Sequence, residues 1–143
     1  MISLDDKILI ILHENNAKAK VKHIKLKLDE QDYNDIRYST IDSAISRLSN
    51  KKYVIWEKYK PIKLTQAGLN RALEIKRHTH LLSMLLYNEL KLSLTEAYEE
   101  SKKMATLLSC KTINRICEKY DHPKNCHCGE RILYSPTCFC DKD

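Results

Sequence analysis

Glycine is almost missing from this sequence: Gly68 and Gly129 are the only two in 143 residues, and prolines number three. So few turn formers exclude a turn-rich β-sandwich and suit long helices joined by short connections. Long apolar runs are missing too, and none approaches the roughly 20 residues that a transmembrane helix needs. Met1 to Lys7 lacks a signal-peptide pattern, so the chain is expected to be soluble, cytoplasmic and without a membrane partner. A Gly-rich phosphate loop, a nucleophile motif and a convergent acid–base pair are also lacking, which argues against an enzyme. In a reducing compartment the six cysteines are expected as metal ligands or small buried hydrophobes rather than disulfides.

Charge is present but modestly biased. Lys and Arg number 25 against 19 Asp and Glu, a net +6. Up to Lys63 there are 13 basic and 9 acidic residues, so most of the excess lies in the first half. That permits a polyanionic partner without requiring one.

The apolar pattern reads as mainly α. Ser3 or Asp5 can cap a first helix whose face is Ile8, Leu9, Ile11 and Leu12, ending near His13. Lys18 to Lys27 fits both a strand and a helix, because its alternation coexists with Val21, Ile24 and Leu28 at helical spacing; helix is preferred. Asp29 to Asp35 reads as the following turn. Arg37 to Lys52 is helical, with Ile41, Ala44, Ile45 and Leu48 as its buried stripe. Tyr53 to Trp56 and Lys60 to Leu64 then read as two short strands. Three helices followed by a hairpin is the order of a winged helix-turn-helix, whose third helix enters the major groove. A long helix is expected from Thr65 to about Leu90, its leucines on more than one side, which points to a dimer interface. Ser93-Leu-Thr-Glu96 matches a capping box and starts a helix to about Leu108. Ser109 can cap a last helix bearing Ile113, Ile116, Cys117 and Tyr120 on one face. The expected organisation is a winged helix-turn-helix over 1–64, a helical dimerisation domain over 65–121 and a Cys-rich tail over 122–143.

Four segments in this order carry a resemblance. They are Leu64-Thr-Gln-Ala-Gly68, Arg77-His-Thr-His-Leu-Leu82, Leu92-Ser-Leu-Thr-Glu-Ala-Tyr-Glu-Glu100 and His122-Pro-Lys-Asn-Cys-His-Cys-Gly129. Together they resemble the diphtheria-toxin-repressor family of metal-dependent transcription regulators. The resemblance implies a homodimer that binds a palindromic double-stranded DNA operator and responds to iron or manganese. The ligand positions of that family are altered here. Ser83 or Met84 stands where a carboxylate belongs, and Tyr98, Lys102, Ala105 and Thr106 occupy the set on the next helix. A lysine ammonium there would repel a divalent cation, so the family's usual ferrous or manganous site is expected to be absent.

Cysteine supplies a substitute. Cys126-His-Cys128 and Cys138-Phe-Cys140 form two Cys-x-Cys pairs with nine residues between them, and are expected to converge on one centre, with Cys117 as a spare ligand. Four thiolates suit an iron–sulfur cluster, the preferred reading, or tetrahedral zinc. His78, His80 and His122 are expected as surface or packing residues and His127 as an alternate ligand. For DNA, Tyr38, Ser39, Thr40 and Ser43 are expected to approach bases or phosphates. Arg47, Lys51 and Lys27 are expected at the backbone, with Lys58 and Lys60 on the wing. The sequence thus points to a repressor sensing iron or redox state through the tail. Its alternatives are a winged-helix regulator with a structural four-cysteine zinc site, or a winged-helix protein-interaction module without DNA.

Overall fold

A computed structural model of the chain describes residues 2–31 and 33–140. Asp32, within the expected Asp29 to Asp35 turn, and the last three residues of the expected tail lie outside the described residues. The elements in order are α1 (Leu4–Glu14), β1 (Lys18–Ala19), α2 (Val21–Gln31), α3 (Tyr38–Asn50), β2 (Val54–Ile55), β3 (Ile62–Leu64), α4 (Gln66–Leu90), α5 (Leu94–Met104) and α6 (Cys110–Lys119). This mainly helical architecture with one small sheet is the fold class expected from the apolar pattern.

The chain divides into two compact units: Ser3–Ala72, and the chain from Leu73 on together with Ile2. The division falls inside α4, and the second unit includes both the α5–α6 helices and the Cys-rich segment.

In the first unit the ambiguous Lys18 to Lys27 stretch resolves into both of its readings. Lys18 and Ala19 pair with Lys63 and Ile62 of β3 as an added antiparallel strand, and the helix begins at Val21. β3 also pairs with β2, giving the sheet order β1-β3-β2. The turn that allows this places Asn16 and Ala17 at φ 58° and 68°. Asn15 holds it by donating from Nδ2 to the Lys18 carbonyl at 2.8 Å. Ser3, not Asp5, caps α1 by accepting from the Asp6 amide at 3.1 Å. Ile8, Leu9, Leu12, Ile24, Leu28, Ile41, Ile45, Leu48 and Ile62 are fully buried in one aliphatic core. Each contributes about 1.5–3 kcal/mol of burial.

The Leu-Thr-x-x-Gly junction has a plain physical account. Thr65 Oγ1 donates to the Lys52 carbonyl at 2.6 Å and accepts from the Gly68 amide at 3.1 Å, so it caps α4 while tying it to the end of α3. A Cβ on Gly68 would stand 2.1 Å from the Tyr53 carbonyl oxygen, so only glycine permits the approach.

In the second unit, Ser93 and Ser109 cap α5 and α6, accepting from the Glu96 and Thr112 amides. Helix α5 stops at Met104, short of the expected Leu108. The core here joins Leu81, Leu82, Met84, Ala105, Ile113 and Ile116 to Cys117, Cys126 and Cys140. The Cys-rich segment folds back in a tight loop: the Cys126 amide donates to the Glu130 carbonyl at 2.8 Å and the Gly129 amide to the Cys126 carbonyl at 3.0 Å. Gly129 sits at φ 95°, which a side chain would resist.

Candidate metal centres and nucleic-acid interface

Helix geometry decides which ligands meet in the second unit. Glu74 and His78 are four apart on α4 and share a face, whereas His80, two further on, points elsewhere. Cys110 and Cys117 are seven apart on α6, which separates them by about 10 Å along its axis. The result is three clusters, in each of which the donor atoms lie within 4.8 Å of one another.

Glu74, His78, Cys110 and Cys138 form the largest. His78 is buried, and its Nδ1 lies 2.7 Å from the Ala105 carbonyl, an interaction that makes Nδ1 the donor. Its Nε2 then faces Cys138 Sγ at 3.1 Å and Cys110 Sγ at 3.5 Å, with Glu74 Oε1 at 4.0 Å. Fixing a histidine by its remote nitrogen is the usual support for a metal ligand. Cys110 Sγ is also 3.3 Å from Glu74 Oε1. Buried Arg77 donates from Nη1 to Cys138 Sγ at 3.3 Å and from Nη2 to Asn114 Oδ1 at 2.7 Å, so a positive charge stands beside that sulfur. Burial, with Cys138 and Glu74 adding to it, pushes the Cys110 thiol far up.

His80, Cys126 and Cys128 form the second cluster. His80 Nδ1 is 3.7 Å from Cys128 Sγ, and Nε2 is 3.2 Å from Glu130 Oε2. Burial lowers the His80 pKa, against the pull of Glu130. Burial likewise pushes the Cys126 thiol up to about 11. Cys117, His122 and Cys140 form the third, with His122 Nδ1 3.4 Å from Cys117 Sγ.

All six cysteines therefore sit in clusters, two in each, and each pair has a histidine. Cys126, Cys128, Cys138 and Cys140, expected around one centre, are divided among three, and Cys117 joins Cys140. His78, His80 and His122, expected as surface or packing residues, supply the imidazoles. The signal overlooked was Glu74, which lies four residues before His78, whereas the carboxylate was sought after it. His127 turns away: its Nε2 is 3.0 Å from Asn88 Nδ2 and its ring packs on Tyr87. Helix α5 contributes no side chain to the three clusters. Lys102 instead pairs with Glu99 at 3.1 Å and lies over the Tyr98 ring, while Ala105 contributes only its carbonyl to His78.

The donor chemistry fits a metal ion. Two sulfurs, an imidazole and a carboxylate within one coordination sphere suit tetrahedral zinc or a ferrous ion better than manganese, which prefers oxygen.

In the first unit, Tyr38, Ser39, Thr40, Ser43 and Arg47 are exposed on α3, and Lys51 and the loop residues Lys58 and Lys60 are exposed beyond it. Several cations are already engaged. Arg47 makes a two-pronged pair with Asp5 at 2.8 and 3.0 Å, Lys60 meets Glu57 at 2.7 Å, and Lys27 meets Glu30 at 3.6 Å. Lys58 lies over the ring of Tyr59, itself 93% exposed. Sequence reading passed over a groove of about 690 Å³ beside Tyr38 whose lining includes Lys18, Lys20, Lys22 and Lys25. Its signal was the alternating lysines, read only for secondary structure.

Residues 65–134 match the family model described as iron dependent repressor, metal binding and dimerisation domain. Among solved structures, the chain is similar to the hypothetical protein SSo2273 from Sulfolobus solfataricus, with 21% identity over 91% of this chain and 96% of that one, TM-score 0.75. It is similar to the manganese regulator SloR, with 23% identity over 94% of this chain and 60% of that one, TM-score 0.74. IdeR of T. acidophilum gives 17% identity over 92% and 60%, TM-score 0.69. The chain thus spans about 60% of the length of these two regulators. No curated protein sequence matches it. The family match thus covers 65–134, just under half of the chain, and the fold is shared with these solved structures.

Proposed function

We propose that this chain is a homodimeric, DNA-binding transcription repressor whose operator affinity depends on metal held by cysteine and histidine. The observation that carries the reading is the Glu74–His78–Cys110–Cys138 set. It provides four ligands with a buried, pre-oriented imidazole, three of them (Glu74, His78 and Cys110) in the segment that matches a metal-binding and dimerisation domain. Such a set suits a closed site for zinc or a ferrous ion. The iron–sulfur cluster expected from the tail needs thiolates gathered at one centre, so the mixed sulfur–imidazole sites are the better-supported form of metal binding.

A bound ion would be held by Glu74, His78, Cys110 and Cys138, and would supply the positive charge that lets two thiolates and a carboxylate share one site. The chain's own residues do the rest. Ala105 orients His78, Arg77 attracts the Cys138 sulfur, and Asn114 Nδ2 holds the Phe139 carbonyl at 2.9 Å, fixing the segment that presents Cys138. This ties the tail to the part of α4 that carries Arg77 and His78. DNA contact falls to the exposed face of α3 and to the lysines of β1 and α2, which suit phosphate. Exposed Leu90, Leu94 and Leu107 offer apolar surface for a second copy.

The test begins with a duplex selected from a random-sequence pool by the zinc- or iron-loaded full chain. Fluorescence anisotropy should show tightest binding by the loaded protein, as one dimer per site in sedimentation. Chelation, or the His78→Ala substitution, should weaken it at least tenfold. Equal affinity with and without metal would overturn the reading. Anaerobically purified protein with a broad absorption band near roughly 400 nm would restore the cluster in place of single ions.

A further inference from the structure

We infer that His80, Cys126 and Cys128 form a second metal site, open and exchangeable, for a thiophilic ion such as zinc. It rests on reading this unit as metal-binding, but not on the Glu74–His78–Cys110–Cys138 centre. The two imidazoles stand on different faces of α4 and share no ligand.

Three observations converge on it. The loop from Asn125 to Arg131 is closed by the Asn125–Arg131 bridge and by the Cys126 amide on the Glu130 carbonyl, which sets both sulfurs on one short turn. His80 is buried, with Nδ1 toward Cys128 Sγ at 3.7 Å, so a ring nitrogen is aimed between the sulfurs rather than at water. The opposite nitrogen meets Glu130 at 3.2 Å. A carboxylate that accepts the remote N–H of a ligating histidine fixes the tautomer and raises the basicity of the ligating nitrogen. Here that carboxylate lies on the same turn as the two sulfurs, so one seven-residue loop carries both thiols and the group that orients their imidazole partner.

The site differs in character from its neighbour. It has three protein ligands, which leaves a fourth position for water or another ligand, as in sites that exchange or react rather than brace a fold. Cys126 is buried whereas Cys128 is exposed, so an ion enters and leaves by the Cys128 side. On binding, the two thiols each release a proton to solvent, while the His80 proton stays on Nε2, shared with Glu130.

The experiment is a zinc count by native mass spectrometry on the reduced full chain, paired with a competition titration against a chromophoric chelator. Cys128→Ser should lower the count by one ion per chain. Because Cys128 is exposed, this change leaves the core intact, which circular dichroism checks. Glu130→Gln, at a side chain 67% exposed, should keep the count but weaken that ion by about 10- to 100-fold. His78→Ala should remove a different ion, and the double variant both. An unchanged count in Cys128→Ser overturns the second site and leaves the proposed function standing. Loss of one and the same ion in Cys128→Ser and His78→Ala overturns it in favour of a single shared centre. A chain that binds no zinc at all overturns the second site, and one that binds neither zinc nor ferrous ion sinks both readings.

Discussion

The two units bury their interiors by different chemistry. Ser3–Ala72 closes over isoleucine and leucine, nine of them fully buried, and each of its described polar residues keeps some exposure. The unit from Leu73 on buries Arg77, His78, His80, Ser101 and Ser135 beside Cys117, Cys126, Cys138 and Cys140. A buried aliphatic side chain is stabilising in itself, whereas a buried imidazole facing two thiols is stabilising only with a partner. One unit carries its stability in its own core; under the proposed metal binding, the other would leave part of its stability to an ion.

That contrast is breakable. The largest effect should come from stripping metal under reducing conditions. Structural zinc contributes about 10–16 kcal/mol in zinc-finger peptides. Even a fraction of that should collapse hydrogen-exchange protection in α6 and the Cys126 to Cys140 segment while α1–α3 keep theirs. Equal loss in both units would erase the distinction. Next in size, Ile45→Ala should cost about 2–5 kcal/mol in the first unit. Denaturant melts of the full chain should show that loss unchanged by added zinc, and rescue by zinc would mean the aliphatic core is not self-sufficient. The smallest effect sharpens the basic face of the first unit. Replacing Lys20 and Lys22 by Ala should reduce the slope of log binding constant against log salt by about 0.9 for each phosphate that a lysine no longer neutralises. An unchanged slope would move the phosphate track off β1 and α2 and onto the wing alone.

Reading the sequence went furthest where the signal is local. Ser93 and Ser109 cap their helices because a hydroxyl at that position has the amide three residues on within reach, whatever else the chain does. The stripe of α3 is buried as its spacing demands. Lys18 to Lys27 could not be resolved locally, because its strand half exists only by pairing with β3, more than 40 residues away. Ligand grouping was the least legible. Two Cys-x-Cys pairs look like one four-thiol centre along the chain, yet three of the sulfurs lie beside an imidazole of α4 and the fourth, Cys140, beside His122 just after α6.

The sequence by itself determined most of the helices, their caps and the concentration of thiols near the end of the chain, because each follows from neighbours a few residues apart. Only the tertiary structure decided which cysteine meets which histidine. Residues 74, 78 and 80 of one helix, 110 and 117 of another, and a loop ending at Cys140 come within coordination distance only when the core beneath them has packed.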